Sequence, residues 1–108
     1  MVNWLLLIAA GVVEVAWAQS IKPTDGFTRP LPTLVCLVLM AGAVYLLSLA
    51  MRGLPVGTAY VVFTGIGAAG AILLGVLVHG EPAGAGRLAA LALIAGGVGL
   101  AHATAPGP

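Results

Sequence analysis

One carboxylate, Glu14, lies near the middle of an apolar run from about Trp4 to Ile21. Ten residues precede it in that run, which at about 1.5 Å rise per helical residue is roughly 15 Å, the midplane of a hydrocarbon slab about 30 Å thick. An acid at that depth is costly and nothing in its own helix pairs with it; intramembrane carboxylates are rare and line cavities, proton paths or cation sites. On a helix, Gly11, Glu14 and Trp17 share one face, with Ala18 one turn beyond Glu14. The glycine leaves an expected empty volume beside the acid, and the indole supplies a flat wall with a donor. Such a setting suits a small, planar, delocalised cation, held by charge and by about 0.5–2 kcal/mol of cation–π attraction. The competing structural roles are a protonated acid gluing two helices together and an indole anchored at headgroup depth.

A second group of candidates follows at Tyr60, Phe63 and Thr64. A tyrosine hydroxyl at bilayer depth wants a partner, and a carboxylate is a good one; the alternative for Tyr60 is an aromatic belt. Thr64 either contributes a hydroxyl to the site or bonds the preceding turn of its own helix. Gly65 and Gly67 weaken the helix locally and are expected to act as a hinge. Hydrocarbon disfavours the charged form of Glu14, so the acid is expected to hold a proton when no cation is present and to be ionised when one binds. One residue then holds a proton or a cation, never both. That competition suffices for proton-coupled antiport, with no cofactor beyond the proton gradient and no metal.

The elements that position these residues are written in the composition. Hydrophobic residues make up 61% of the 108-residue chain and charged residues 6%, against about 25% charged in a soluble domain. The class is an all-α membrane protein. Four apolar stretches, at about 4–21, 33–51, 56–78 and 88–103, alternate with three polar breaks rich in proline and glycine. Each is near the length of a spanning helix, and none alternates as a barrel strand would. The expectation is a single domain, a four-transmembrane-helix bundle with both ends of the chain on one side and only residues 105–108 left over. The first run carries Glu14 and no cleavage site, so it is read as a span and not as a signal peptide. A net charge of +1 carries no basic patch for nucleic acid. Cys36, alone inside an apolar run, is read as a small apolar filler. His79 and His102 fall at helix ends with no membrane-depth nucleophile beside them, so the chain is not expected to be an enzyme.

Four helices are too few to enclose a transport path, so a site at Glu14 is better built between two copies. Ala90 and Gly97, seven apart on the last helix, with Gly96 and Gly99, offer a close-packing seam for a partner or for helices of the same subunit. Topology is weakly marked: Lys22, Arg29 and Arg87 lie on one side, Arg52 and the N-terminal amine on the other. Insertion both ways is compatible with so small a bias.

Residues 10–18 (Ala10-Gly11-Val12-Val13-Glu14-Val15-Ala16-Trp17-Ala18), the loop Asp25-Gly26-Phe27-Thr28-Arg29, and Leu54-Pro55-Val56-Gly57-Thr58-Ala59-Tyr60 with Thr64-Gly65-Ile66-Gly67 resemble the small multidrug resistance transporters. The resemblance covers essentially the whole chain. It implies an antiparallel, dual-topology dimer in the cytoplasmic membrane that exchanges protons for cations at a paired glutamate, with a helix-four seam at Ala90 to Gly97 and a helix-three kink at Gly65 to Gly67. Gly11 with Trp17 resembles the guanidinium exporters more than the promiscuous quaternary-ammonium exporters. Three positions depart from that pattern: Phe63 stands where tryptophan is usual, Ala43 where a serine is expected, and Ala101-His102 where a lysine is expected. Fewer donors around the acid imply a relaxed pocket that also takes larger, more apolar cations.

The leading expectation is a proton-coupled exporter of guanidinium or small guanidinyl cations. Its rivals are a multidrug exporter of quaternary ammonium and other hydrophobic cations and one half of a heterodimer with a paralogous subunit. A rotary-ring proteolipid, which shares the lone membrane acid, normally carries it on the outgoing helix of a hairpin and not on the first.

Overall fold

The computed structural model describes residues 2–104. The leftover stretch at 105–108 and the N-terminal amine counted in the charge bias lie outside the described residues. Four helices, α1 (Val2–Ile21), α2 (Pro30–Ala50), α3 (Val56–Leu77) and α4 (Ala85–Ala103), carry the chain, and all four are long and apolar enough to cross a membrane. No strand is present among the described residues.

Two helices begin three residues before their apolar runs. α2 starts at Pro30 because its first turn needs no backbone donors there: Pro30 and Pro32 forgo N–H groups that would be unpaired in any case. α4 starts at Ala85, capped by Gly84 in extended conformation, and its first turn closes with Leu88 N–H donating to the Gly84 carbonyl at 3.1 Å. Hydropathy marks where a helix enters oil, and capping marks where it begins. Between α1 and α2 the chain makes a 3₁₀ turn at Lys22–Thr24, then passes through left-handed backbone at Asp25, Gly26 and Phe27 (φ 48°, 71° and 64°). The buried Thr24 pins this turn: its hydroxyl donates to the Ile21 carbonyl at 2.6 Å and accepts from Phe27 N–H at 3.4 Å.

The bundle is flat. Its principal extents are 44 × 34 × 17 Å, and the helices stand in the order α2–α1–α3–α4, with α1 packed on α2 and α3, and α4 packed on α3. The core, from Leu7 and Ala10 of α1, Ala43, Leu47 and Ala50 of α2, and Ala59, Val62 and Phe63 of α3, lies where the first three helices meet. Cys36 is buried and unpaired, as a filler would be. α4 buries none of its residues. On the terminal side, Asn3 packs on Gly53, and Trp4 meets His102 edge-to-face with ring centroids 4.4 Å apart. On the loop side, His79 Nε2–H donates to Gln19 Oε1 at 2.8 Å, and Arg87 pairs with Glu81 at 2.9 Å.

Candidate functional site

The α1–α3 crossing is made by small residues that admit side chains from the facing helix. A Cβ at Gly67 would lie 2.5 Å from Glu14 Cγ. The methylene stem of Glu14 is therefore seated on bare α3 backbone. Gly70, three residues further on, receives Val15 in the same way. In the opposite direction, a Cβ at Gly11 would lie 2.7 Å from Ile66 Cγ2. The volume expected to be empty beside Glu14 is thus filled by Ile66. The notch exists because α1 has no side chain there, but it serves helix packing, and close approach of two helices fills voids larger than a methyl group.

Glu14 is half-buried, and among the described residues it forms no ion pair and no side-chain hydrogen bond. α3 faces it with glycine and isoleucine, which offer no charge. Its carboxylate therefore meets no opposite charge among the described residues. Trp17, one turn along α1, holds its indole Nε1 buried without an acceptor. An orphaned buried donor is uncommon.

The second group divides. Phe63 is core. Tyr60 is 54% exposed, its ring 6.2 Å from Phe63, and it does not meet Glu14 of its own chain. The reason is axial: Tyr60 and Gly67 are seven residues apart, about 10.5 Å along α3. Thr64 donates to the Tyr60 carbonyl at 2.7 Å, so its hydroxyl is satisfied within its own helix. Thr64→Val is expected to leave guanidinium-driven current within about threefold of the parent, as loss of one modest internal hydrogen bond implies; a loss beyond tenfold would return the hydroxyl to the site.

The two expected hinge glycines face different neighbours in an unbroken α3. Gly65 receives Val98 of α4, and Gly67 receives Glu14 of α1. On α4, a Cβ at Gly96, Gly97 or Gly99 would meet nothing within 4 Å. Those three glycines are not used to pack helices inside the subunit. Gly97 also lines a shallow groove between α3 and α4 with Thr64, Gly65 and Val98, while Ala90 is half-buried two turns earlier.

Sequence reasoning missed the role of Ile66 as the plug in the Gly11 notch, and that of Gly75 as a seat for Glu81, whose Cδ lies 2.9 Å from where a Cβ would be. The spacing of Gly67, Gly70 and Gly75 was the available signal for a small-residue face on α3.

Comparison with known proteins carries the same pattern beyond one chain. A "Guanidinium exporter" of Yersinia pseudotuberculosis is 47% identical over 95 residues, covering 88% of this chain and 91% of the relative. One of Citrobacter freundii is 49% identical over 96 residues, covering 89% and 91%. One of Salmonella typhimurium (strain LT2) is 47% identical over 96 residues, with the same two shares. The profile described as Small Multidrug Resistance protein matches residues 2–94, from the start of α1 well into α4. With the match running through the α1–α3 crossing and nearly half the residues shared with these relatives, the chain belongs to the Small Multidrug Resistance family.

Proposed function

We propose that this chain is a proton-coupled antiporter that exports guanidinium or small guanidinyl cations across the inner membrane, where its four spans make it a multi-pass protein. The observation that carries the reading is a membrane-depth carboxylate seated on bare helix backbone with no basic partner among the described residues. Relatives named as guanidinium exporters point to the same substrate class. Glu14 binds the cation or a proton, and Trp17 offers its ring face to the cation. The proton gradient is the only further requirement. No step calls for a metal or a covalent intermediate, so the chain acts as a transporter and not an enzyme.

Two copies inserted in opposite directions complete the site. The open polar face around Glu14, the outward Tyr60 and the unused glycine face of α4 at Gly97 all call for a second subunit. A second copy of this chain supplies Tyr60 to the partner's carboxylate, α4 forms the seam from Ala90 to Gly97, and bending of α3 at Gly65 and Gly67 exchanges access between the two sides.

A broader multidrug exporter is favoured by one feature: Ala43 and Phe63 are buried in the core and bring no hydrogen-bond donor toward the acid. Proton-coupled current on solid-supported membranes separates the two readings. Guanidinium is expected to drive current, and a bulky quaternary ammonium is expected to drive none. Current from both would establish the broader exporter, and current from neither would remove the transport reading. Current that appears only on co-expression with a paralogous subunit would replace the homodimer by a heterodimer.

A further inference from the structure

The loop end of the α1–α3 groove opens into a cavity of about 690 Å³. Its floor, at Ala18 and Ala71, begins one helical turn loopward of the contact between Glu14 and Gly67. The cavity therefore continues the face on which the central acid sits, and a cation leaving Glu14 toward the loops enters it. Its polar groups converge: Gln19 comes from the end of α1, Lys22 from the 3₁₀ turn that follows it, and His79 and Glu81 from the α3–α4 connection.

Glu81 is the one acid in that wall, and the chain holds it in place by three means. Its backbone N–H donates to the Gly75 carbonyl at 3.0 Å. Its carboxylate lies over Gly75, where a Cβ would come within 3.0 Å of both oxygens. Arg87 pairs with it at 2.9 Å. The group that occupies this carboxylate is thus itself a guanidinium, tethered to α4. Free guanidinium has the same planar fork of N–H donors and the same match to a carboxylate. Both partners of the pair are substantially exposed, so the tethered group is held weakly and exchanges readily.

We propose that Glu81 is an outer guanidinium site, where the transported cation displaces the Arg87 side chain on its way to or from Glu14. The assignment rests on the exporter reading. Gln19 Oε1 adds a neutral acceptor on the facing wall. Lys22 at the rim and the displaced Arg87 leave the mouth short of negative charge, which makes this a transit site and not a storage site. With two copies in opposite orientation, each side of the membrane has one such mouth.

The site predicts substitutions of opposite sign in guanidinium-driven current on solid-supported membranes. Glu81→Gln raises the KM for guanidinium about two- to fivefold with the maximal current retained, the range expected of an exposed ion pair. Arg87→Ala removes the tethered competitor and lowers KM by a similar factor. In the double variant, KM equals that of Glu81→Gln alone, because removing Arg87 matters only while the carboxylate is present. If both single variants move KM in the same direction, the pair is a structural latch and the outer site is overturned. Additive effects in the double variant overturn it as well, since they mark a diffuse charge effect. An unchanged KM in Glu81→Gln, with a normal wild-type current, removes the outer site and leaves the exporter standing. Absence of wild-type current removes both.

Discussion

Glu14→Gln is expected to abolish guanidinium-driven proton current while leaving the protein folded. Glutamine keeps the volume and the stem that rests on Gly67, so the α1–α3 crossing survives. What is lost is the negative charge. A cation left without its counter-ion in a low-dielectric site loses on the order of 3–5 kcal/mol, which at about 1.4 kcal/mol per decade is roughly two to four decades of affinity. Coupling is lost as well, since an amide cannot exchange a proton for a cation. No other group among the described residues takes over: the α3 surface opposite Glu14 is glycine and isoleucine, and the remaining acids, Asp25 and Glu81, lie in connections between helices. The check is current at saturating guanidinium, together with a size-exclusion profile matching the parent.

Gly67→Ala is the second large expected effect, and it leaves the acid in place. The added methyl would lie 2.5 Å from Glu14 Cγ and 3.5 Å from its Cβ. The nearer contact falls on the stem of a side chain rather than on its free end, so either Glu14 leaves its rotamer or α1 and α3 separate. Overpacking of this kind costs about 1–3 kcal/mol, enough to reduce the competently packed state by roughly one to two decades. Transport is expected to fall at least tenfold, with reduced thermal stability in detergent. Gly57→Ala makes the comparison, because its methyl in the first turn of α3 would enter open space; a full transport rate in Gly67→Ala would show that Glu14 does not depend on its seat.

The four crossings were legible because hydrophobic length and the absence of charge suffice to identify a span, and no tertiary knowledge is needed. The central acid was legible for the same reason, as an exception to the rule that produced the spans. Helix starts at Pro30 and Ala85 were not, since proline in a first turn and a short polar turn above the hydrocarbon leave no trace in hydropathy. Gly11 shows the deeper limit. A glycine beside an acid signals a notch, but whether the notch is empty depends on the facing helix, and Ile66 fills it. Tyr60 shares its helical face with Gly67, yet nothing local says that Gly67, two turns further along α3, is the residue that meets Glu14. The cavity at Gly75 was hidden because Glu81 reaches it only when the connection folds back over α3, a long-range event with no local signature. His79 and Gln19 meet across 60 positions for the same reason.

These residues separate what the subunit satisfies by itself from what it leaves open. Inside the subunit, Gly67 of α3 seats the stem of Glu14 and the Gly11 notch of α1 takes Ile66. Outside it, the orphaned Trp17 donor, the exposed Tyr60 and the uncovered α4 glycines are all unspent.

The measurement that bears most directly on alternate occupancy of Glu14 is equilibrium guanidinium binding by titration calorimetry, from about pH 5 to pH 9, in buffers of different ionisation enthalpy. In the proposed exchange the free site holds the proton and the occupied site does not, so binding is expected to release protons. Affinity then weakens as pH falls through the titration of Glu14, by up to about one decade per pH unit for each proton displaced. The predicted result is proton release and pH-dependent affinity in the wild type, both absent in Glu14→Gln. Guanidinium binding that is flat across this range, with no proton released, would contradict the account.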